Sequence, residues 1–322
     1  MIVVPDDFPS VFEGSAAQEK AKALGTLRVY TERGADDENE LARRIGDAKV
    51  AINIRAYARF TDAVFRACPN LRMISIWGTG TDNIDLAAAA RRGITVCNTA
   101  GVNAIAVAEH AVALMLAVAR KIPAIDREMR SGAWPREMLT QLHGKTLGVF
   151  GAGSIGARVA NLGRAFGMTV LAWSARGDTA RLEAMGITPA SKDDIVRRAD
   201  FITLHLRLTP ATLGLIGRSE FAAMKPTAIL VNTGRGALVD RDALLTALAS
   251  GKIAGAGLDV FHDEPIKAGD PLLKFTNTVL SPHNAGQTPE VRRDGLLRAV
   301  ENVVGFLNGK PTSVVAPPVL ST

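Results

Sequence analysis

Cysteine is nearly absent: Cys68 and Cys97 are the only two in 322 residues. They share neither a CxxC spacing nor a histidine at ligand distance in sequence, so a disulfide framework or a metal site is not expected. Buried thiols in a reducing compartment are. Blocks of one charge are missing too. The 38 Lys and Arg are scattered among 32 Asp and Glu, leaving a net charge of +6. No basic run interleaves with aromatics, so nucleic acid is not an expected partner. A mild positive field instead suits small anionic substrates. Long apolar runs are also lacking. The most apolar stretch, 102–119, carries Asn103, Glu109 and His110, which argues for a buried or interface helix and against a membrane span. The first seven residues have no basic region and reach Asp6 and Asp7 at once, reading as a strand and turn and not a signal peptide. A cytoplasmic protein with no membrane partner is expected.

What the chain does contain is an ordinary globular balance, 47% hydrophobic and 22% charged. Its length exceeds one comfortable core, so two domains are the natural division. Short apolar runs alternate with helical stretches, the rhythm of a parallel sheet with crossover helices. Runs at 2–4, 27–30, 50–54, 73–76 and 95–97 read as strands, with helices at 38–46 and 62–67 among those between them. After an apolar helix at 103–120, six further strands read at 146–150, 170–173, 201–204, 228–232, 255–259 and 278–280. Six strands with intervening helices match a complete Rossmann sheet. A last helix, 290–307, precedes a Pro-rich tail.

The first chemical motif is Gly151-Ala152-Gly153-Ser154-Ile155-Gly156. A lone GxGxxG is weak in a chain with 30 glycines, but this one follows an apolar strand and opens a helix. The first glycine permits a tight turn, the second lets backbone approach a pyrophosphate, and the third allows close helix–strand packing. The anion then meets unpaired N–H groups at a helix N-terminus. At the end of the next strand, where NAD-preferring folds carry an acid for the ribose 2′-hydroxyl, the sequence reads Trp173-Ser174-Ala175-Arg176. Without a carboxylate to repel it, a 2′-phosphate could be held by Ser174 and Arg176. NAD or NADP is the expected cofactor, leaning to NADP; the bland reading of these residues is an exposed loop.

Three polar residues then follow late strands: Arg235, Glu264 and His283. Ketone reduction needs a proton donor at the carbonyl oxygen, and an imidazolium suits neutral pH. A neighbouring carboxylate favours the protonated ring and orients it. An Arg fork matches the carboxylate of a 2-keto acid. Each alone has an equally plain reading as a loop histidine, a capping glutamate or a surface arginine; their order after the glycine loop is what singles them out.

With these residues in place, the chain resembles the D-isomer-specific 2-hydroxyacid dehydrogenase family over nearly its whole length. The resemblance is carried by Trp77-Gly78-Thr79-Gly80-Thr81-Asp82, Val107-Ala108-Glu109-His110, Leu142-His143-Gly144-Lys145 leading into the glycine loop, Asn232-Thr233-Gly234-Arg235-Gly236, Asp263-Glu264-Pro265 and Ser281-Pro282-His283. It implies an α/β protein of two doubly wound parallel-sheet domains. A Rossmann cofactor domain, 99–286, is inserted in a flavodoxin-like substrate domain, 1–98 plus 287–322. It also implies His283 as acid/base, Glu264 as its partner, Arg235 as substrate anchor, and backbone N–H groups of Gly78, Thr79 and Gly80 around the substrate carboxylate. Thr233 is expected at the cofactor and Asp259 at the nicotinamide amide. Members are usually homodimers, with the helix around 107–119 exchanged. The chain departs from the family pattern at Ser174, at Ala100 and Arg207 where proline is usual, and at Asn284. Arg55, Tyr57, Arg59, Trp77 and Asn284 are candidates to shape the pocket. His110, His143 and His262 read as structural, and His205 as a neighbour of the cofactor. The competing function on this scaffold is a nicotinamide-sensing binding protein of the co-repressor type.

Overall fold

The structure, a computed structural model, describes residues 1–54, 57–174, 177 and 179–316. The chain divides into two compact units. One is Met1–Asn103 with Gln287–Thr322, the other Ala104–Gly286.

The first unit is built on β1 (Ile2–Val4), β2 (Leu27–Val29), β3 (Val50–Asn53), β4 (Met73–Ile76) and β5 (Thr95–Cys97). They pair in parallel in the order β2-β1-β3-β4-β5, the flavodoxin-like doubly wound arrangement. All residues of β1, β3, β4 and β5 are buried. Covering on both faces explains why these strands read as unbroken apolar runs and not as alternation. The helix Pro289–Leu307 returns from the chain's far end and buries Leu296, Ala299, Val300 and Val303 in the core of this unit. Ser75 Oγ donates to the Ala299 carbonyl at 2.7 Å, and Asn302 Nδ2 to the Asn98 carbonyl at 3.0 Å. A short strand, Val314–Ala316, then pairs antiparallel with β5. The sequence marks this stretch only as tail, because three residues beside prolines carry no periodicity; the pairing to β5 makes the strand.

The second unit holds β6 (Thr146–Phe150), β7 (Thr169–Trp173), β8 (Thr188–Pro189), β9 (Phe201–Leu204), β10 (Ile229–Asn232), β11 (Gly255–Leu258) and β12 (Thr278–Leu280). All are parallel, in the order β8-β7-β6-β9-β10-β11-β12. The six expected strands are present and β8 is additional. It has two residues, one a proline, which cannot donate to a ladder and is tolerated because β8 lies at the edge. The helix Ala104–Ala119 buries Ala108, Ala111, Leu114, Met115 and Ala119 in this unit's own core. Among the described residues no helix is long and apolar enough to cross a membrane.

Candidate active site

β6 ends at Phe150 and the chain turns at Gly151, whose φ of +90° is a conformation that L side chains avoid. A Cβ there would lie 2.8 Å from Leu206 Cδ2 and 2.9 Å from the His205 carbonyl oxygen. Gly156 crosses directly over the Gly151 carbonyl, so any side chain would collide with it. Gly153 differs from both. Its φ of −71° is open to any residue, and a Cβ would meet nothing within 4 Å. Neither the turn nor the packing demands glycine at that position. What remains is bare backbone at the N-cap of the helix Ser154–Ala165, with no side-chain cap of its own. Ser154 and Ile155 follow in its first turn. This is a cradle fitted to a diphosphate, which needs close backbone approach and a helix N-terminus.

Ser174 follows β7, and its carbonyl accepts the Gly177 N–H at 3.0 Å. A cavity of about 390 Å³ opens here, lined by Trp173, Ser174, Thr179, Pro189 and Ser191 among others, with no carboxylate among its described lining residues. Arg176 lies outside the described residues, as does Arg55. Arg207 is exposed, and its carbonyl accepts the Thr212 hydroxyl at 2.7 Å.

The loops after β10, β11 and β12 bring Arg235, Glu264 and His283 together. Buried Asn232 shapes the first loop: its Nδ2 donates to the Arg235 carbonyl at 2.9 Å and its Oδ1 accepts the Gly234 N–H at 3.0 Å. Arg235 Nη1 donates to the Gly234 carbonyl at 2.8 Å. Thr233 Oγ1 stands 3.4 Å from His205 Nδ1. A side chain on Gly236 would collide with the Phe261 backbone, so the Arg235 loop lies hard against the loop carrying Glu264. The Phe261 N–H donates to Glu264 Oε1 at 2.9 Å, and Glu264 Oε2 is 2.6 Å from His283 Nδ1. Burial of the Glu264 carboxyl opposes ionisation. The hydrogen bonds from His283 and Phe261, with the charges of His283 and Arg235, outweigh it and hold the group below the usual range. His283 and Glu264 are 46% and 37% exposed, open enough to meet a substrate. With Nδ1 engaged, His283 keeps Nε2 for proton exchange.

Asp259, in contrast, is 1% exposed. Its carboxylate accepts the Ser281 hydroxyl at 2.6 Å and the N–H groups of Asn284 and Ala285, both at 3.0 Å. The motifs imply no structural task for Asp259 and no role for Ser281. A signal existed: β11 and β12 pair Leu258 with Leu280, so the residues that follow, Asp259 and Ser281, stand side by side. Among the other histidines, His110 Nε2 is 2.8 Å from Ser281 Oγ. His205 Nε2 is 2.9 Å from Thr203 Oγ1, and burial pushes its pKa down to about 3. His143 is exposed with its ring against Gly167, and His262 is exposed.

In the first unit, Gly78 has a φ of +139° and donates its N–H to Thr99 Oγ1 at 2.8 Å. That N–H is therefore committed within the protein. Asn98 Nδ2 donates to the Thr79 carbonyl at 2.9 Å. The Tyr57 hydroxyl donates to Asp6 Oδ1 at 2.7 Å, and Arg59 is exposed.

Residues 112–285 match the family described as D-isomer specific 2-hydroxyacid dehydrogenase, NAD binding domain. The chain belongs to the D-isomer specific 2-hydroxyacid dehydrogenase family. A glyoxylate reductase of Aeropyrum pernix is 44% identical over 267 residues, covering 79% of this chain and 80% of that one. A D-3-phosphoglycerate dehydrogenase of Archaeoglobus fulgidus is 41% identical over 287 residues, 88% of this chain. The chain spans about half the length of that protein, 54%. Among solved structures, an acyclic imino acid reductase in complex with NADPH and D-Arg superposes with a TM-score of 0.90 at 28% identity, covering 98% of this chain and 99% of that one. The matched NAD-binding region lies within the second unit and includes the glycine loop after β6.

Proposed function

We propose that this dehydrogenase interconverts a 2-keto acid and a D-2-hydroxy acid of the glyoxylate, hydroxypyruvate or 3-phosphoglycerate class, with NADPH as the preferred reductant. The observation that carries the reading is the 2.6 Å pair of His283 Nδ1 and Glu264 Oε2, set beside Arg235 at the carboxyl ends of a Rossmann sheet. When bound, the nicotinamide supplies or accepts hydride at substrate C2. His283 Nε2 gives a proton to the carbonyl oxygen in reduction and takes it back in oxidation. Glu264 orients the ring and stabilises its charged form. The Arg235 guanidinium anchors the substrate carboxylate through paired hydrogen bonds. Thr79 and Gly80 are the residues of their motif left to offer backbone N–H groups to a substrate, the Gly78 N–H being taken by Thr99. Relatives named as reductases and dehydrogenases favour this over a sensing role.

The NADPH preference rests on Ser174 in place of an acid and on a neighbouring cavity with no carboxylate among its described lining residues. A homodimer is supported by apolar side chains left open beyond the core helix: Ile122 at 55% exposure, Trp134 at 72% and Met138 at 95%. Initial rates with glyoxylate, hydroxypyruvate, phosphohydroxypyruvate and pyruvate, each with NADH and NADPH, test substrate class and cofactor together. His283→Gln should lower kcat on the best substrate by roughly a hundredfold or more. Near-native turnover in that variant ends the mechanism, and faster rates with NADH end the cofactor preference.

A further inference from the structure

One residue, Asp259, holds the backbone at His283 through its carbonyl and the two residues after it through its carboxylate. The Asp259 carbonyl accepts the His283 N–H at 2.8 Å, its Oδ1 accepts the Asn284 N–H and its Oδ2 the Ala285 N–H, both at 3.0 Å. The grip has a purpose, because His283 sits at φ +51°. A non-glycine residue in that region costs about 1–2 kcal/mol and persists only when its surroundings over-determine it. The direction in which the imidazole leaves the chain is therefore set by Asp259.

Asp259 is itself held from the neighbouring strand end and from a helix. Ser281 Oγ is 2.6 Å from Asp259 Oδ1 and 2.8 Å from His110 Nε2. A serine hydroxyl has one hydrogen, and a carboxylate can only accept. The hydrogen is thus committed to Asp259, so Ser281 Oγ must accept from His110. His110 Nε2 must carry the proton, which fixes the tautomer of this ring. The same Nε2 is 3.5 Å from Asp259 Oδ1, so the N–H also points its positive end toward the carboxylate. The relay runs from the helix Ala104–Ala119, through His110 and Ser281, to Asp259 and on to the His283 backbone.

We propose that His110 is a positioning residue for His283, acting through Ser281 and Asp259. A helix histidine that merely fills space would not need one ring nitrogen protonated toward a hydroxyl already committed to the carboxylate that grips the catalytic turn. The inference rests on His283 being the acid/base, and it makes a geometric claim that can be read without turnover. His110→Leu removes the donor, whereas the side-chain amide of His110→Gln can place an N–H near the position of Nε2 and donate to Ser281.

The test uses the full chain and both variants. In His110→Leu, kcat should fall roughly tenfold, the scale on which small misplacements of a reacting group act, with KM for the keto acid changed less than about twofold. His110→Gln should recover most of that loss. In protein labelled at the histidine rings, the His283 signal is assigned by its disappearance in His283→Gln. It should shift or broaden in His110→Leu and return in His110→Gln. Ser281→Ala should reproduce the His110→Leu pattern and stands in for it if that variant does not fold. Wild-type kcat with an unmoved His283 signal in His110→Leu overturns the proposal. Equal losses in the Leu and Gln variants, tracking melting temperature alone, also overturn it. A moved signal together with an active His283→Gln leaves the positioning intact and defeats the acid/base assignment instead.

Discussion

Both units place loops at the carboxyl ends of a parallel sheet, and both put buried carboxylates there, but they spend them differently. In the first unit Asp6 accepts the N–H groups of Phe8, Gly34 and Ala35 and the Tyr57 hydroxyl. Asp7 accepts those of Val11, Phe12 and Glu13 with the Ser10 hydroxyl. Arg44, 5% exposed, donates to the carbonyls of Pro5, Glu32 and Arg33 and pairs with Glu40. These charges fold loops and are used up in doing so. In the second unit Asp259 folds a loop in the same manner, but what it holds in place is a half-exposed histidine beside a half-exposed glutamate. All five histidines of the chain also fall in the second unit. The first therefore has no imidazole with which to move protons near neutral pH. The carboxyl edge of a parallel sheet does not by itself locate chemistry; saturation of the polar groups and the presence of a group that titrates in range do.

The largest effect should come from the saturated side of this contrast. Arg44→Met keeps volume but strips the donors from three carbonyls and leaves Glu40 without its buried partner. Breaking such a cluster costs about 3–5 kcal/mol, to be read from denaturant midpoints, while His283→Gln should leave the midpoint within about 0.5 kcal/mol. A comparable loss in both variants would erase the distinction between loop-folding and chemical polar groups.

Next in size is a contrast inside the glycine loop. Gly156→Ala forces a Cβ into the Gly151 carbonyl and should cost about 1–3 kcal/mol of stability. Gly153→Ala meets no protein atom and should leave stability unchanged, while weakening dinucleotide affinity, measured by titration calorimetry, roughly tenfold or more. Unchanged affinity in Gly153→Ala would mean that the bare backbone there serves no ligand.

Most of the architecture is legible in sequence because strands covered on both faces become continuous apolar runs. Residues 146–150 and 201–204 carry this signal plainly, while Thr188–Pro189 and Val314–Ala316 carry none. Those two exist through pairing alone. Arg235, Glu264 and His283 stand out because each is a polar residue in the loop that follows an apolar strand. The roles of Ser281 and His110 do not stand out, because they depend on strand register and on a helix brought in from 171 residues away. Gly78 shows the opposite failure. The motif marks it as an anion holder, and only the fold reveals that its N–H already belongs to Thr99.

The smallest effect concerns the histidine difference itself. His205 has its pKa lowered by burial from 6.5 to about 3, so the folded protein keeps it neutral where the unfolded chain protonates it. A depressed folded pKa gives stability that is present above pH 6.5 and lost as pH falls through that value toward 3. Between about pH 7.5 and pH 5.5 the loss from this residue should be about 1 kcal/mol, since only the unfolded state takes up the proton over that interval. His205→Gln keeps an amide facing Thr203 and removes the titration, so the stability–pH curve should flatten by that amount. An unaltered slope would show that the ring titrates normally in the folded state.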